Sequence, residues 1–127
     1  MATINFMTTV LLVEDSLTET EVLTRYLRQA GLNVVSVKSS EEAHLKLQSQ
    51  TPDLVIMDVI LPGQSGFELC RQLKTNLSTQ KIPIVICSTK DTDADKLWGS
   101  MLGANAYLPK PVNQQQLMQI IQQLTHS

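Results

Sequence analysis

Three carboxylates, a hydroxyl and an ammonium each stand where an apolar run ends. Asp58 closes Leu54-Val55-Ile56-Met57 just before Leu61-Pro62-Gly63, and Glu14-Asp15 closes Val10-Leu11-Leu12-Val13. Ser88-Thr89 closes Ile84-Val85-Ile86-Cys87, and Lys110-Pro111 follows Ala106-Tyr107-Leu108-Pro109. Short continuous apolar runs of this kind read as strands buried on both faces. Ligands of open α/β sheets bind outside the carboxyl ends of parallel strands, so acid pair, acid, hydroxyl and ammonium converge on one rim.

Carboxylates sharing a rim repel. Two unit charges about 4 Å apart cost about 4 kcal/mol at an effective dielectric near 20, and a third adds more. Protonation relieves this, and so does a hard divalent cation with oxygen ligands, which also supplies chemistry. Mg²⁺ is the natural candidate, with Asp15 and Asp58 as direct ligands, the backbone carbonyl of Ile60 as another, and Glu14 acting through water. A carboxylate in such a place can itself take a phosphoryl group, since aspartyl phosphate is an established covalent intermediate. Of the phosphoryl oxygens, the ion takes one, the Ser88 hydroxyl a second and the Lys110 ammonium a third. Alone, Lys110 would read as a solvated strand-end lysine; the complete set makes it a site residue.

The elements that must position these groups alternate strand and helix five times along the chain. That alternation predicts an α/β fold, a five-stranded parallel sheet with helices on both faces. The first helix spans about 18–30, with Val22, Leu23, Tyr26, Leu27 and Ala30 on one face and Gly31 as its left-handed stop. Strand two covers 34–37. Ser39 and Glu42 have capping-box spacing for a short, weakly amphipathic second helix to about Gln50. The third helix starts near Ser65 or Gly66 and turns Phe67, Cys70, Leu73 and Leu77 to the sheet. A fourth, about 92–102, includes Leu97, Trp98, Met101 and Leu102 and stops at Gly103. The fifth opens at Asn113 with the stripe Leu117, Ile120, Ile121, Leu124 and a Gln-rich, uncharged outer face. The 127 residues are expected to form a single domain, with an ordered core of about 8–124 after a short leader.

Composition excludes several classes. The chain is 43% hydrophobic and 17% charged, as in soluble globular proteins, and its 4% aromatic content implies an aliphatic core. A net charge of -2 without a Lys/Arg block argues against nucleic acid and anionic membranes as partners. No run is long enough to span a bilayer and no signal peptide is evident, so a cytoplasmic location is expected. Cys70 and Cys87 fall in apolar patterns and read as small core hydrophobes. His44 and His126 lack partners at metal-ligand spacing and read as solvated surface.

With these residues in view, the chain resembles the receiver domain of two-component response regulators, the CheY-like family. The likeness runs from about Thr8 to Leu124 and rests on an ordered set: Glu14-Asp15, Asp58 with Leu61-Pro62-Gly63 and Gly66, Ser88-Thr89, Gly103-Ala104, Tyr107 and Lys110-Pro111. It implies a flavodoxin-like (βα)5 fold with strand order 2-1-3-4-5. It also implies a phosphorylation switch: Asp58 accepts phosphate from a histidine kinase or phosphotransfer protein, and Ser88 and Tyr107 move toward or into the domain. The output face would be the fourth helix, fifth strand and fifth helix, binding a downstream protein as monomer or weak dimer. Such a chain is not a turnover enzyme, although it catalyses its own phosphorylation. The Lys110-Pro111 bond, trans by its general statistics, is implied to be cis.

Two positions depart from the pattern. Ile60, two past Asp58, is aliphatic and Lys90, two past Ser88, is basic, which predicts slow autodephosphorylation because Ile60 offers no hydrogen bond to the attacking water. Ser88-Thr89-Lys90-Asp91 with Trp98-Gly99 resembles regulators of type IV pilus motility and chemotaxis-like systems. Two other classes compete. A haloacid-dehalogenase-like phosphatase also uses an Asp nucleophile and Mg²⁺, but it needs an acid where Ile60 stands. A phosphorylation-independent scaffold would have no use for the complete acid, hydroxyl and lysine set.

Overall fold

A computed structural model of the chain describes residues 8–125. The expected leader and His126 lie outside the described residues. The elements are β1 (Thr9–Val13), α1 (Leu17–Gln29), β2 (Asn33–Val37), α2 (Ser40–Ser49), β3 (Leu54–Met57), α3 (Gly66–Thr75), β4 (Ile84–Ser88), α4 (Asp93–Met101), β5 (Ala106–Pro109) and α5 (Gln114–Thr125). All paired strands are parallel, in the order β2-β1-β3-β4-β5. The expected flavodoxin-like order is therefore observed.

The strands are apolar throughout because both faces of the sheet are covered. Leu11, Val13, Val55, Met57, Ile84 and Ile86 point to one side, where they meet Leu69, Cys70 and Leu73 of α3 and Ala43 of α2. Their neighbours Val10, Leu12, Leu54, Ile56, Val85 and Cys87 point to the other, against Leu23 and Leu27 of α1 and Leu117 and Ile121 of α5. Register then sets the site. Val13 lies opposite Met57, and Met57 opposite Ile86. The residues that follow, Glu14 and Asp58, therefore emerge side by side at the carboxyl edge, with Ser88 paired to Pro109 alongside.

Helix boundaries follow local signals. Ser16, Ser39, Ser65 and Thr92 cap α1 to α4 by accepting from the backbone three residues on. Gly31 and Gly103 carry φ of 83° and 104° just past α1 and α4, the left-handed stops expected of them.

Four local expectations are corrected. The Ser39/Glu42 pair is only half a capping box, since the Glu42 carboxylate accepts from Lys38 N at 2.9 Å rather than from the cap residue. Leu77 does not reach the sheet: α3 ends at Thr75, and Asn76 turns the chain by accepting from Thr79 N and Gln80 N. Leu77 is left 86% exposed and Leu69 fills the core instead. Ala30 is exposed, because α1 has already ended at Gln29. His44 is half-buried rather than solvated, its Nε2 2.8 Å from Gln72 Oε1.

Candidate functional site

At the carboxyl edge the Lys110 ammonium lies 2.5 Å from Glu14 Oε1 and 2.8 Å from Asp58 Oδ2. All three side chains are nearly closed to solvent. Each acid is further fixed by backbone. Asp58 Oδ1 accepts from Ile60 N at 3.0 Å, and Glu14 Oε2 accepts from Ser16 N at 3.0 Å. The strands themselves are tied at the same level, Asp58 N donating to Val13 O and Glu14 N to Val37 O. Lys110 N donates to Ser88 O at 3.1 Å, and the Lys110-Pro111 bond is cis, as the family resemblance implied.

Electrostatics follow from burial and pairing. Burial pushes the Glu14 carboxyl above its usual value, against the opposing pull of Lys110 and Ser16 N. Burial also works to lower Lys110, but its bonds to Asp58 and Glu14 prevail and hold it above the ordinary lysine value. A buried carboxylate pair is thus bridged by a cation that stays charged.

Of the expected ligands, Glu14 and Asp58 come together and Asp15 does not. Asp15 is exposed on the rim, without a hydrogen-bond partner among the described residues. Among those residues no group of three or more acidic, histidine or cysteine side chains forms a ready metal cage. The expected meeting of three carboxylates is instead a meeting of two on an ammonium. The donors are nonetheless hard oxygens, and Mg²⁺ keeps several waters and takes one or two carboxylates plus phosphate, so its binding here needs no three-acid cage.

Ser88 is fully buried and its Oγ accepts from Lys90 N at 3.2 Å, not from the acid site. The Tyr107 ring packs beside Phe67 with centroids 6.5 Å apart, and its hydroxyl donates to the Lys90 carbonyl. Burial, with Asp95, Asp58 and Asp91 adding negative charge, pushes that phenol up to about 12. Ile60, beside Asp58, is 55% exposed, an aliphatic surface at the mouth of the site.

The sequence singled out Lys90 and Gly66, but not the contacts through which they act. Lys90 matters through its backbone N–H and carbonyl, which no residue type announces. Gly66 is required by close approach: a Cβ there would lie 2.0 Å from the Asp58 carbonyl oxygen. The signal for it was a glycine at a helix start just after the acid.

Comparison with known proteins gives a consistent picture. Residues 10–122 match the family model described as the response regulator receiver domain. The protein PilH of Pseudomonas aeruginosa is 38% identical over 91% of this chain and 95% of its own length. The high-resolution structure of the chemotaxis response regulator CheY4 of Vibrio cholerae is 30% identical with a TM-score of 0.85, over 93% of this chain and 98% of that one. The receiver domain of the sensor histidine kinase PA1611 of P. aeruginosa, with magnesium coordinated in its active-site cleft, is 27% identical with a TM-score of 0.87, over 95% and 99% of the two chains.

Proposed function

Because this chain belongs to the response regulator receiver family, we propose that it is a phosphorylation-dependent signalling switch in which Asp58 accepts a phosphoryl group from a histidine kinase or phosphotransfer protein. Receiver domains are switches rather than turnover enzymes. The observation that carries the reading is the nearly buried Asp58 carboxylate at a strand end, 2.8 Å from the Lys110 ammonium. Such a carboxylate is a nucleophile already positioned, and the adjacent cation answers the charge that develops on a transferred phosphoryl group.

Mg²⁺ would be held by Asp15, Asp58 and the Ile60 carbonyl, with Glu14 acting through water, and when bound it neutralises phosphoryl oxygens. The chain's own residues do the rest. Asp58 Oδ2 attacks phosphorus, the donor's leaving group departs, and Lys110 transfers its hydrogen bond toward a phosphoryl oxygen. The Ser88 hydroxyl leaves Lys90 N–H to bond a second oxygen. The added charge, roughly -1.5 to -2, favours both movements. Ile60 offers the attacking water no hydrogen bond, so the acyl phosphate decays slowly.

The output face is α4, β5 and α5. Supporting it, Leu97, Trp98 and Met101 are exposed on α4, and the outer face of α5 carries Gln rather than charge. The partner is a protein, not nucleic acid, given the net charge of -2. Likeness to PilH and to a chemotaxis regulator favours a taxis or motility pathway in the cytoplasm, with the chain acting as monomer or weak dimer. No helix among the described residues is long and apolar enough to cross a membrane.

Intact mass after incubation with Mg²⁺ and a small phosphodonor tests this. One added phosphoryl is expected in wild type and none in Asp58→Asn or in chelator. No adduct, together with no binding of beryllofluoride, would favour the scaffold reading.

A further inference from the structure

Between Asp58 and α3 runs the segment 59–65, with Ile60 near its start and Ser65, the cap of α3, at its end. The segment is closed at its base by Gly66 N, which donates to Val59 O at 2.9 Å. Near its end, Gln64 is gripped by the start of α2. The Ser40 hydroxyl donates to the Gln64 carbonyl at 3.0 Å, and Glu41 Oε2 accepts from Gln64 N at 3.4 Å. His44 Nε2 stands 3.4 Å from Gln64 Oε1 and 2.8 Å from Gln72 Oε1. Positions 40, 41 and 44 share one side of a helix, so one face of α2 meets the backbone and the side chain of Gln64 together.

Ser40 is fully buried, which serine seldom is. Helix formation gives no reason for it. Ser39 already caps α2, its hydroxyl accepting from Glu42 N at 3.1 Å, and serine is a poorer helix former than alanine. A buried hydroxyl without a partner is costly, and here the partner is the Gln64 carbonyl. Gly63, with φ of 70°, turns the chain toward the same helix: a Cβ there would lie 3.1 Å from Glu41 Oε2. The other end of the segment is at the acceptor, where Ile60 N donates to Asp58 Oδ1 at 3.0 Å. A short loop closed at its base has little freedom, so a hold on Gln64 is also a hold on Ile60.

We propose that Ser40 is a positioning residue for the acceptor: its buried hydroxyl, through the Gln64 carbonyl, fixes the loop whose Ile60 N–H holds Asp58 and whose Ile60 carbonyl would serve Mg²⁺. The proposal rests on the Asp58 switch reading and deepens it, since α2 supplies no group to the chemistry and no part of the output face. With the hold released, the Ile60 amide and carbonyl lose their fixed place beside Asp58. Preorganisation for the metal is then lost although every acid of the site is still present.

The test compares Ser40→Ala with Leu45→Gly, which weakens α2 at an exposed position outside the contacts with Gln64. Two quantities are read in each variant: amide hydrogen exchange at Ile60 in metal-free protein, and affinity for Mg²⁺ alone, followed by amide chemical shifts. Relative to Leu45→Gly, Ser40→Ala is expected to speed Ile60 exchange and to weaken Mg²⁺ binding, each about two- to tenfold, the span of one hydrogen bond. If Ser40→Ala does not fold, Ser40→Cys, which fills the same place with a weak donor, is read against the same control. Equal behaviour of the Ser40 variant and the control in either quantity, in a wild type that binds Mg²⁺ and beryllofluoride, overturns the proposal and leaves the switch reading standing. A wild type that fails to bind Mg²⁺ or beryllofluoride overturns the switch reading and, with it, the proposed role of Ser40.

Discussion

Lys110 holds together two acids that would otherwise repel. Its ammonium takes one oxygen from each of Glu14 and Asp58, and removing it leaves both buried without a neutralising charge, each held by one backbone N–H. Lys110→Met is therefore expected to cost about 1–3 kcal/mol of stability in chelator, and less in Mg²⁺, which takes over the neutralising role. Denaturant unfolding under the two conditions checks this; equal losses in both would argue against Mg²⁺ near these acids. Ile60 acts at the same scale. Ile60→Asn gives the attacking water a partner and should speed decay of phosphorylated protein, and an unchanged decay rate in a mass time course would defeat the slow-dephosphorylation reading. Gly66→Ala tests close approach. With its Cβ 2.0 Å from the Asp58 carbonyl oxygen the backbone must move, and a loss of about 3 kcal/mol or more is expected from overpacking.

At the level of elements, α3 shows how a helix end redistributes burial. Leu69 is fully buried and Leu77, past the Asn76 turn, is 86% exposed. Leu69→Ala should cost about 2–5 kcal/mol, whereas Leu77→Ser should fall within about 0.5 kcal/mol of wild type. A large effect at Leu77 would mean that the helix continues and packs it. Helix α4 is the opposite case, seated by few residues and exposing three large apolar ones. A lightly seated helix is cheap to reposition, which suits the role proposed for α4 in reporting a charge change at Asp58.

Across the whole molecule, burial governs the two thiols. Cys70 and Cys87 are buried and free, and burial pushes them up to about 11 and about 12 respectively. Neither should react with iodoacetamide in native protein near neutral pH, and both should react in denaturant, as mass spectrometry would show. Their folded values lie above the unfolded one. The stability they contribute is thus fully present below the unfolded thiol range, about pH 8.5, and is lost as pH rises toward those folded values. A thermal midpoint that falls between neutral and strongly alkaline pH is expected, with the fall reduced in Cys70→Ala/Cys87→Ala. An identical fall in that variant would assign the alkaline loss to other groups.

The strand pattern, the parallel sheet, its order through the family resemblance, and the gathering of Glu14, Asp58, Ser88 and Lys110 at one edge were all legible in the sequence. The reason is that strands buried on both faces must be apolar, so the first polar residue after each run marks the sheet edge. Side-chain direction was not legible. Asp15 next to Glu14 faces solvent while Glu14 turns in, because successive residues at a strand end point to opposite sides and only packing says which is inside. Lys110 between two acids and Lys90 as the common partner of Ser88 and Tyr107 are contacts between segments far apart in the chain. No local pattern encodes them: they exist because the register of β1, β3, β4 and β5 brings those segments to within bonding distance, and register is a property of the folded sheet.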